Sequence, residues 1–149
     1  MENSQFELGQ LFNTSAQFKC ALRQYSIIHR KNLTLSTNEK WRVRAKCQPP
    51  CKWMIYASKE SKSSTNLQVK TFNHKHTHCR HATKNKSITA DWLAHTYQAL
   101  FVSNPDMPWQ SLRDIVKKEH KVVISKGQFY RTKMKAQELI EGTHRDQYN

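Results

Sequence analysis

The residues of this sequence best suited to chemistry are two close pairs of candidate metal ligands. Cys47 and Cys51 stand in KCQPPCKW, where the Gln-Pro-Pro between them predicts a tight turn that returns the chain toward its start. His76 and His78 stand in NHKHTHC, and one intervening residue on an extended segment leaves both imidazoles on the same side. Zinc takes four nitrogen or sulfur ligands in a tetrahedron, so these four side chains predict a structural zinc site.

Cys79 is an alternative fourth ligand. If Thr77 bulges, His76 and Cys79 close the site instead, giving three sulfur ligands and one nitrogen ligand. His74 and His81 are less favourable candidates. The competing interpretation is that the cysteines are buried thiols and the histidines part of a basic surface. Two close pairs within so short a window favour the metal site.

The positive charge of the sequence is large and unevenly distributed. The net charge is +14 at pH 7, with a pI near 9.9. Residues 40–88 hold twelve basic and one acidic side chain, against four and three in residues 1–39 and nine and seven in residues 89–149. This excess predicts an acidic partner, of which nucleic acid is the commonest.

Several other classes of protein are disfavoured. Four cysteines without a signal peptide indicate a reducing compartment. No apolar run is long enough to span a bilayer, which predicts a soluble protein without a membrane partner. The candidate acidic ligands of a catalytic metal fall in or beside predicted helices, where they fit caps or solvated charges better: Asp91, Asp106, Asp114 and Asp146. No catalytic residue and no enzyme activity are therefore expected.

The elements that would position the zinc ligands are predicted within residues 1–83. Thr14 and Gln17 have the spacing of a capping box at the start of a helix. The buried face of that helix recurs at three- and four-residue steps, at Phe18, Ala21, Leu22, Tyr25 and Ile28. Four strands follow in LTLST, WRVRAKC, KWMIYASK and NLQVKTF, which predict a small antiparallel sheet. Three cations share one face of the second strand without an intervening acid, which favours phosphate contact: Arg42, Arg44 and Lys46.

Residues 84–149 predict a bundle of three helices, so the chain as a whole is predicted to be of the α+β class. Thr89 is a candidate N-cap, Pro108 opens the second helix, and Ser125 begins a third that ends at Gly142. The second and third helices, joined by a short connection, could form a helix-turn-helix unit. The competing interpretation is that any three-helix bundle exposes a cationic face. Near the leading end of the third helix stand the candidate DNA contacts Lys126, Tyr130, Arg131 and Lys133.

These blocks resemble the DNA-binding region of plant Mutator-like, or MuDR-type, transposases, whose zinc finger is similar to those of the WRKY and FLYWCH groups. The resemblance rests on FKCALRQYSI, WRVRAKC, CKWMIYASK, LQVKTF, HTHC, SITADWLA and FYRTKMKAQELIEG, and extends over nearly the whole chain. It implies a four-stranded sheet with zinc at one end, bound by two cysteines, a histidine and a final histidine or cysteine. The family often ends His-x-Cys, and aligning Cys79 there puts Thr77 at the histidine position.

The resemblance also bears on DNA contacts and catalysis. The DNA-reading heptapeptide of WRKY domains is absent, so base contacts do not carry over, and Arg30 and Lys31 join the strand cations as candidates from charge alone. Larger family members continue into a catalytic domain that this chain is expected to lack.

The predicted function is sequence-specific duplex DNA binding by a zinc-stabilised domain of a transposase, or of a domesticated derivative, at terminal inverted repeats or promoters in the nucleus. A catalytic transposase domain or another protein is a further candidate partner. The alternative function is a zinc-stabilised adaptor that binds protein. RNA binding is less favoured, because the stacked-aromatic strand motif of RNA-recognition domains is not visible.

Overall fold

The computed structural model describes residues 6–80 and 84–148, with residues 143–148 as backbone only. The chain divides into two compact units, Met1–Asn85 and Lys86–Asn149. Over the described ranges, the first unit combines an antiparallel sheet with one helix, and the second is helical. The predicted α+β class is therefore confirmed.

In the described part of the N-terminal unit the sheet has five strands instead of the four predicted. They are β1 (Leu11–Phe12), β2 (Leu33–Asn38), β3 (Arg42–Cys47), β4 (Met54–Lys59) and β5 (Leu67–Asn73). Their order is β1-β5-β4-β3-β2, and every neighbouring pair is antiparallel. The additional strand, β1, has only two residues, too few to show the alternation from which strands are predicted.

Helix α1 (Ser15–Ile28) packs its apolar face on this sheet. The Thr14 hydroxyl accepts a hydrogen bond from the Gln17 N–H at 3.1 Å, the cap that the sequence predicts. Phe18, Leu22 and Tyr25 are buried as predicted. Ile28, the last residue of the helix, is instead 55% exposed, whereas Ile27 is buried on another side of the helix, outside the core that α1 forms with the sheet.

The core of the N-terminal unit lies between α1 and one face of the sheet and is rich in aromatic rings. Its members are Phe6, Phe12, Phe18, Leu22, Tyr25, Val43, Ala45, Cys47, Cys51, Trp53, Ile55, Ala57, Leu67 and Val69. The alternation along β3 places the strand cations on the opposite face of the sheet. The fold thus separates an apolar face from a cationic one.

The described part of the C-terminal unit contains four helices, where three were predicted. They are α2 (Ala90–Thr96), α3 (Gln98–Ser103), α4 (Trp109–His120) and α5 (Lys126–Tyr148). The first predicted helix is divided at Tyr97, whose φ of −107° and ψ of 19° depart from helical values. The last helix continues through Gly142, since a glycine within a helix weakens it without requiring it to end.

The three predicted helix starts hold in this unit, and α4 begins at Trp109, directly after Pro108. The Thr89 hydroxyl accepts from the Trp92 N–H and the Ser125 hydroxyl from the Gln128 N–H, each at 3.1 Å. The core is mainly aliphatic and includes Leu93, Leu112, Val116, Ile124, Phe129 and Ala136. Among the described residues, no helix is both long enough and apolar enough to cross a bilayer.

Candidate metal centre and basic surfaces

Four side chains converge at the edge of the core of the N-terminal unit, and we call them the Cys3His cluster: Cys47, Cys51, His76 and Cys79. Their ligand atoms all lie within 4.8 Å of one another. His76 Nδ1 is 3.3 Å from Cys51 Sγ and 3.6 Å from Cys79 Sγ. Ligands around one tetrahedral zinc ion are separated by roughly 3.3–3.8 Å, so the cluster could hold such an ion.

Local structure explains how two distant segments meet here. Cys47 ends β3, and its N–H donates to the Trp53 carbonyl at 3.1 Å, which closes the turn that carries Cys51. The Lys52 N–H donates to the Thr77 hydroxyl at 3.0 Å, and this bond ties the turn to the segment after β5. The β3–β4 turn therefore supplies two candidate ligands, and the segment after β5 supplies the other two.

The structure does not bring His78, the preferred fourth ligand from the sequence, into the cluster. The prediction required an extended segment from His76 to His78, but β5 ends at Asn73. The backbone of His78 has a φ of +52°, in the left-handed region, and its side chain lies outside the cluster. Cys79, the alternative, occupies the position in the cluster instead.

His76 is oriented by aromatic neighbours. Its Nε2 lies 2.8 Å from the Tyr25 hydroxyl, and its ring stacks on Trp53 with 5.5 Å between centroids and 4° between planes. These contacts leave Nδ1 facing the sulfurs. A ligating histidine commonly uses its second nitrogen in this way, and the hydrogen bond fixes the ring and its tautomer.

The surroundings affect the thiols differently. Burial, together with smaller effects of the adjacent Cys51 and Cys79 thiols, raises the pKa of Cys47 to about 12. Burial also opposes ionisation of Cys51, but hydrogen bonds from the backbone of Trp53 and Thr77, together with those from the Cys79 and Cys47 thiols, outweigh it and lower the Cys51 pKa. The Thr77 N–H lies 3.2 Å from Cys51 Sγ. The backbone is thus arranged to stabilise negative charge on Cys51.

Lys31, a predicted DNA contact, points toward the cluster instead of toward solvent. Lys31 is 8% exposed, and its Nζ donates to Cys79 Sγ at 3.2 Å. Because the residue is buried and its ammonium contacts Cys79, Lys31 presents little surface to a phosphate.

The predicted cations of the sheet remain on its outer face. Arg42 is exposed and forms two hydrogen bonds of 2.9 Å to the Glu39 carboxylate. Arg44 is half-buried, with its guanidinium 4.7 Å from the centroid of the Tyr56 ring on β4. Lys46 is exposed. Arg30, also a predicted contact, is half-buried at the end of α1. These four side chains are not part of the metal cluster.

In the C-terminal unit, the predicted contacts lie along the first turns of α5. Lys126, Tyr130 and Arg131 are exposed, and Lys133 is half-buried. Sequence reasoning missed that Trp109 gathers cations beside them. The Trp109 ring has the Arg113 guanidinium 4.7 Å from its centroid and the Lys126 ammonium at 5.3 Å.

Sequence reasoning also missed the partners of the cluster. Tyr25 and Lys31 are 51 and 48 residues from the side chains they contact. Tyr25 was identified only as a member of the buried helix face, and Lys31 only as a positive charge. No local spacing signals either partnership, because both depend on how α1 packs on the sheet.

Comparison with known proteins identifies one relationship. Residues 3–69 match the family model of the MuDR family transposase DNA-binding domain. The match confirms the resemblance to MuDR-type transposases for these residues, which are less than half of the chain, and it ends before His76. No curated protein and no solved structure matches the chain significantly.

Proposed function

From the MuDR transposase DNA-binding match over residues 3–69, we propose that this chain binds duplex DNA sequence-specifically through a zinc-stabilised N-terminal unit. The single observation that carries the proposal is the Cys3His cluster, at the end of a sheet whose outer face bears cations. The chain would act as part of a Mutator-like transposase or a domesticated derivative. Its targets would be terminal inverted repeats or promoters, and its location nuclear.

Zinc in this proposal is structural, with Cys47, Cys51, His76 and Cys79 as its ligands. Four protein ligands leave no open position for an activated water, which argues against a hydrolytic role for the metal. Bound zinc would fix the β3–β4 turn to the segment after β5. The His76 ring would coordinate through Nδ1, and its Nε2–H would donate to the Tyr25 hydroxyl oxygen.

The outer face of the sheet would contact DNA phosphates through Arg42, Arg44 and Lys46, with Arg30 at its margin. Basic side chains on phosphates supply affinity that falls with salt, while a few base contacts supply specificity. The stacking of Arg44 on Tyr56 would hold its guanidinium in place for such a contact. Lys31 is left out of this surface, because its ammonium faces Cys79.

The C-terminal unit would add a second contact through the leading end of α5, with Lys126, Tyr130, Arg131 and Lys133 near the DNA. Their position supports this role, and so does the short connection between α4 and α5. A catalytic transposase domain would be the natural protein partner.

The proposal is tested by selecting bound sequences from a randomised duplex library. The selection is repeated across a salt series, with and without a zinc chelator. We expect one motif to be enriched, to be lost on chelation, and to bind more weakly as salt rises. Sequence-blind binding that survives chelation would contradict the proposal. Weak, salt-insensitive binding with capture of a protein would favour the adaptor function.

A matched pair of variants refines the test. Arg44→Gln should weaken binding and reduce the slope of log affinity against log salt by about 1. Lys62→Gln removes the same charge from the exposed β4–β5 connection and should leave the slope unchanged. Equal effects of the two variants would show that the outer sheet face is not the contact.

A further inference from the structure

Lys31 is buried without the usual partner of a buried cation. It is 8% exposed, and among the described residues no carboxylate lies within ion-pair distance of its ammonium. Its side-chain hydrogen bond goes to Cys79 Sγ at 3.2 Å. Burial of a positive charge beside neutral groups is costly, so this position indicates a negative charge in the functional state.

The end of α1 directs Lys31 inward. Arg30 has a φ of +53°, the Lys31 N–H donates to the Ser26 carbonyl at 3.0 Å, and the Arg30 N–H donates to the Ile27 carbonyl at 3.3 Å. These two bonds form a Schellman motif, which reverses the chain immediately after the helix. The backbone of Lys31 is therefore fixed at the helix end, and from this position its side chain reaches Cys79.

The composition of the Cys3His cluster supplies the missing negative charge. Zinc binds cysteine as thiolate, so three thiolates around Zn²⁺ leave one net negative charge, whereas two thiolates and two neutral imidazoles leave none. A centre with His78 as its fourth ligand would be neutral and would leave Lys31 uncompensated. A centre with Cys79 matches one buried cation with one excess negative charge.

We propose that Lys31 is the charge-compensating residue of the metal centre, with its ammonium neutralising the Cys79 thiolate in the zinc-bound state. The inference rests on the proposed metal site and specifies that it is a Cys3His centre with a cationic partner. Lys31 is thus a positioning and charge-balancing residue of the zinc site, and not a DNA contact.

Competitive titration of Zn²⁺ into the full chain, against a chromophoric chelator, tests the role of Lys31. Lys31→Met removes the charge and keeps an apolar stem of similar length, and it should weaken zinc binding about 10–100-fold, as loss of an outer-shell partner does. Lys31→Arg should restore most of the affinity. Lys52→Met is the control, since it removes an exposed positive charge next to Cys51.

Repeating the Lys31→Met comparison in the Cys79→His variant separates charge compensation from packing. In Cys79→His the zinc complex becomes neutral, so Lys31→Met should no longer weaken zinc binding beyond the effect of Lys52→Met. The Co²⁺-substituted chain gives an independent readout, because thiolate charge-transfer absorption should fall in Cys79→His and stay unchanged in Lys31→Met. Circular dichroism of the metal-loaded variants checks that each is folded.

The outcomes distinguish this inference from the proposed function. If the unmodified chain binds no zinc, the metal centre itself fails. If it binds zinc and Lys31→Met behaves like Lys52→Met, only the compensating role of Lys31 is overturned. An equal loss caused by Lys31→Met in the unmodified chain and in the Cys79→His variant would also overturn it, since that result indicates packing alone.

Discussion

The two units of this chain are both small, and they are stabilised by different features. The N-terminal unit has a core rich in aromatic rings, buries Lys31, and brings three cysteines and a histidine together. The C-terminal unit has a mainly aliphatic core, and its buried Thr132 hydroxyl donates to the Gln128 carbonyl of the same helix at 2.7 Å. A small domain has little core to stabilise it, and a metal compensates for that only where ligands converge. We therefore expect the stability of the N-terminal unit, and not that of the C-terminal unit, to depend on zinc.

Removal of the metal should produce the largest difference between the units. Zinc contributes roughly 10–16 kcal/mol to small zinc-dependent folds, more than the whole stability of many such domains. We expect a chelator to abolish amide protection across β2 to β5 and to leave the helices α2 to α5 protected. Hydrogen exchange resolved along the chain, with and without chelator, measures this. Loss of protection in both units, or in neither, would contradict the division.

The identity of the fourth ligand should have the next largest effect. Cys79→Ser removes a ligand and should lower zinc affinity by more than the about 10–100-fold expected for an outer-shell change. His78→Ala should leave the affinity unchanged, because His78 lies outside the cluster. Competitive zinc titration of both variants shows which residue is the fourth ligand. If His78→Ala proves the more damaging, the ligand set preferred from the sequence is restored.

Equivalent helix caps in the two units allow a finer test. Thr14→Ala and Ser125→Ala each remove one cap hydrogen bond, worth about 1 kcal/mol. Where folding and zinc binding are coupled, that energy also appears as weaker metal binding, by about fivefold. We therefore expect Thr14→Ala to lower the apparent zinc affinity and Ser125→Ala to lower only the thermal stability of the C-terminal unit. Equal zinc affinities for the two variants would mean that the N-terminal unit is folded without metal.

The smallest predicted effect concerns pH in the C-terminal unit. Burial lowers the pKa of His120 below its ordinary 6.5, against a smaller opposing effect of Glu119. The unfolded chain therefore binds more protons than the folded unit just below pH 6.5. The resulting stability is present above that pH and is lost as the pH falls toward the folded pKa.

His120→Gln should flatten this dependence. Hydrogen exchange of α2 to α5 between about pH 5 and pH 8, a range chosen to span the ordinary histidine pKa, measures it. An unchanged slope in the variant would assign the effect to another group.

Patterns that depend on neighbouring residues were predicted well from the sequence. The Thr14 cap, the buried Phe18, Leu22 and Tyr25, and the alternation of β3 follow from spacing alone. Patterns that depend on where an element stops were predicted less well. The imidazole of His78 was assigned to the same side as His76 only because the strand was assumed to continue beyond Asn73.

Contacts between distant residues could not be predicted at all. The burial of Lys31 against Cys79 joins residues 48 positions apart, and sequence alone showed it only as a cation near a helix end. The break at Tyr97 likewise accompanies its hydroxyl bond to Glu119 on another helix, which no periodicity within residues 89–103 indicates.

The edge of the sheet has a consequence for how copies of the chain behave toward one another. β2 is an outer strand, and its LTLSTN sequence contains no charged side chain. An uncharged edge is a template onto which a strand of another molecule can add, the first step of aggregation. The register shift between Leu35 and Thr37 interrupts that edge with a bulge, which locally disrupts the row of backbone groups and increases its twist. We therefore expect the bulge at Ser36 to disfavour self-association of this strongly basic protein at an edge that carries no charge.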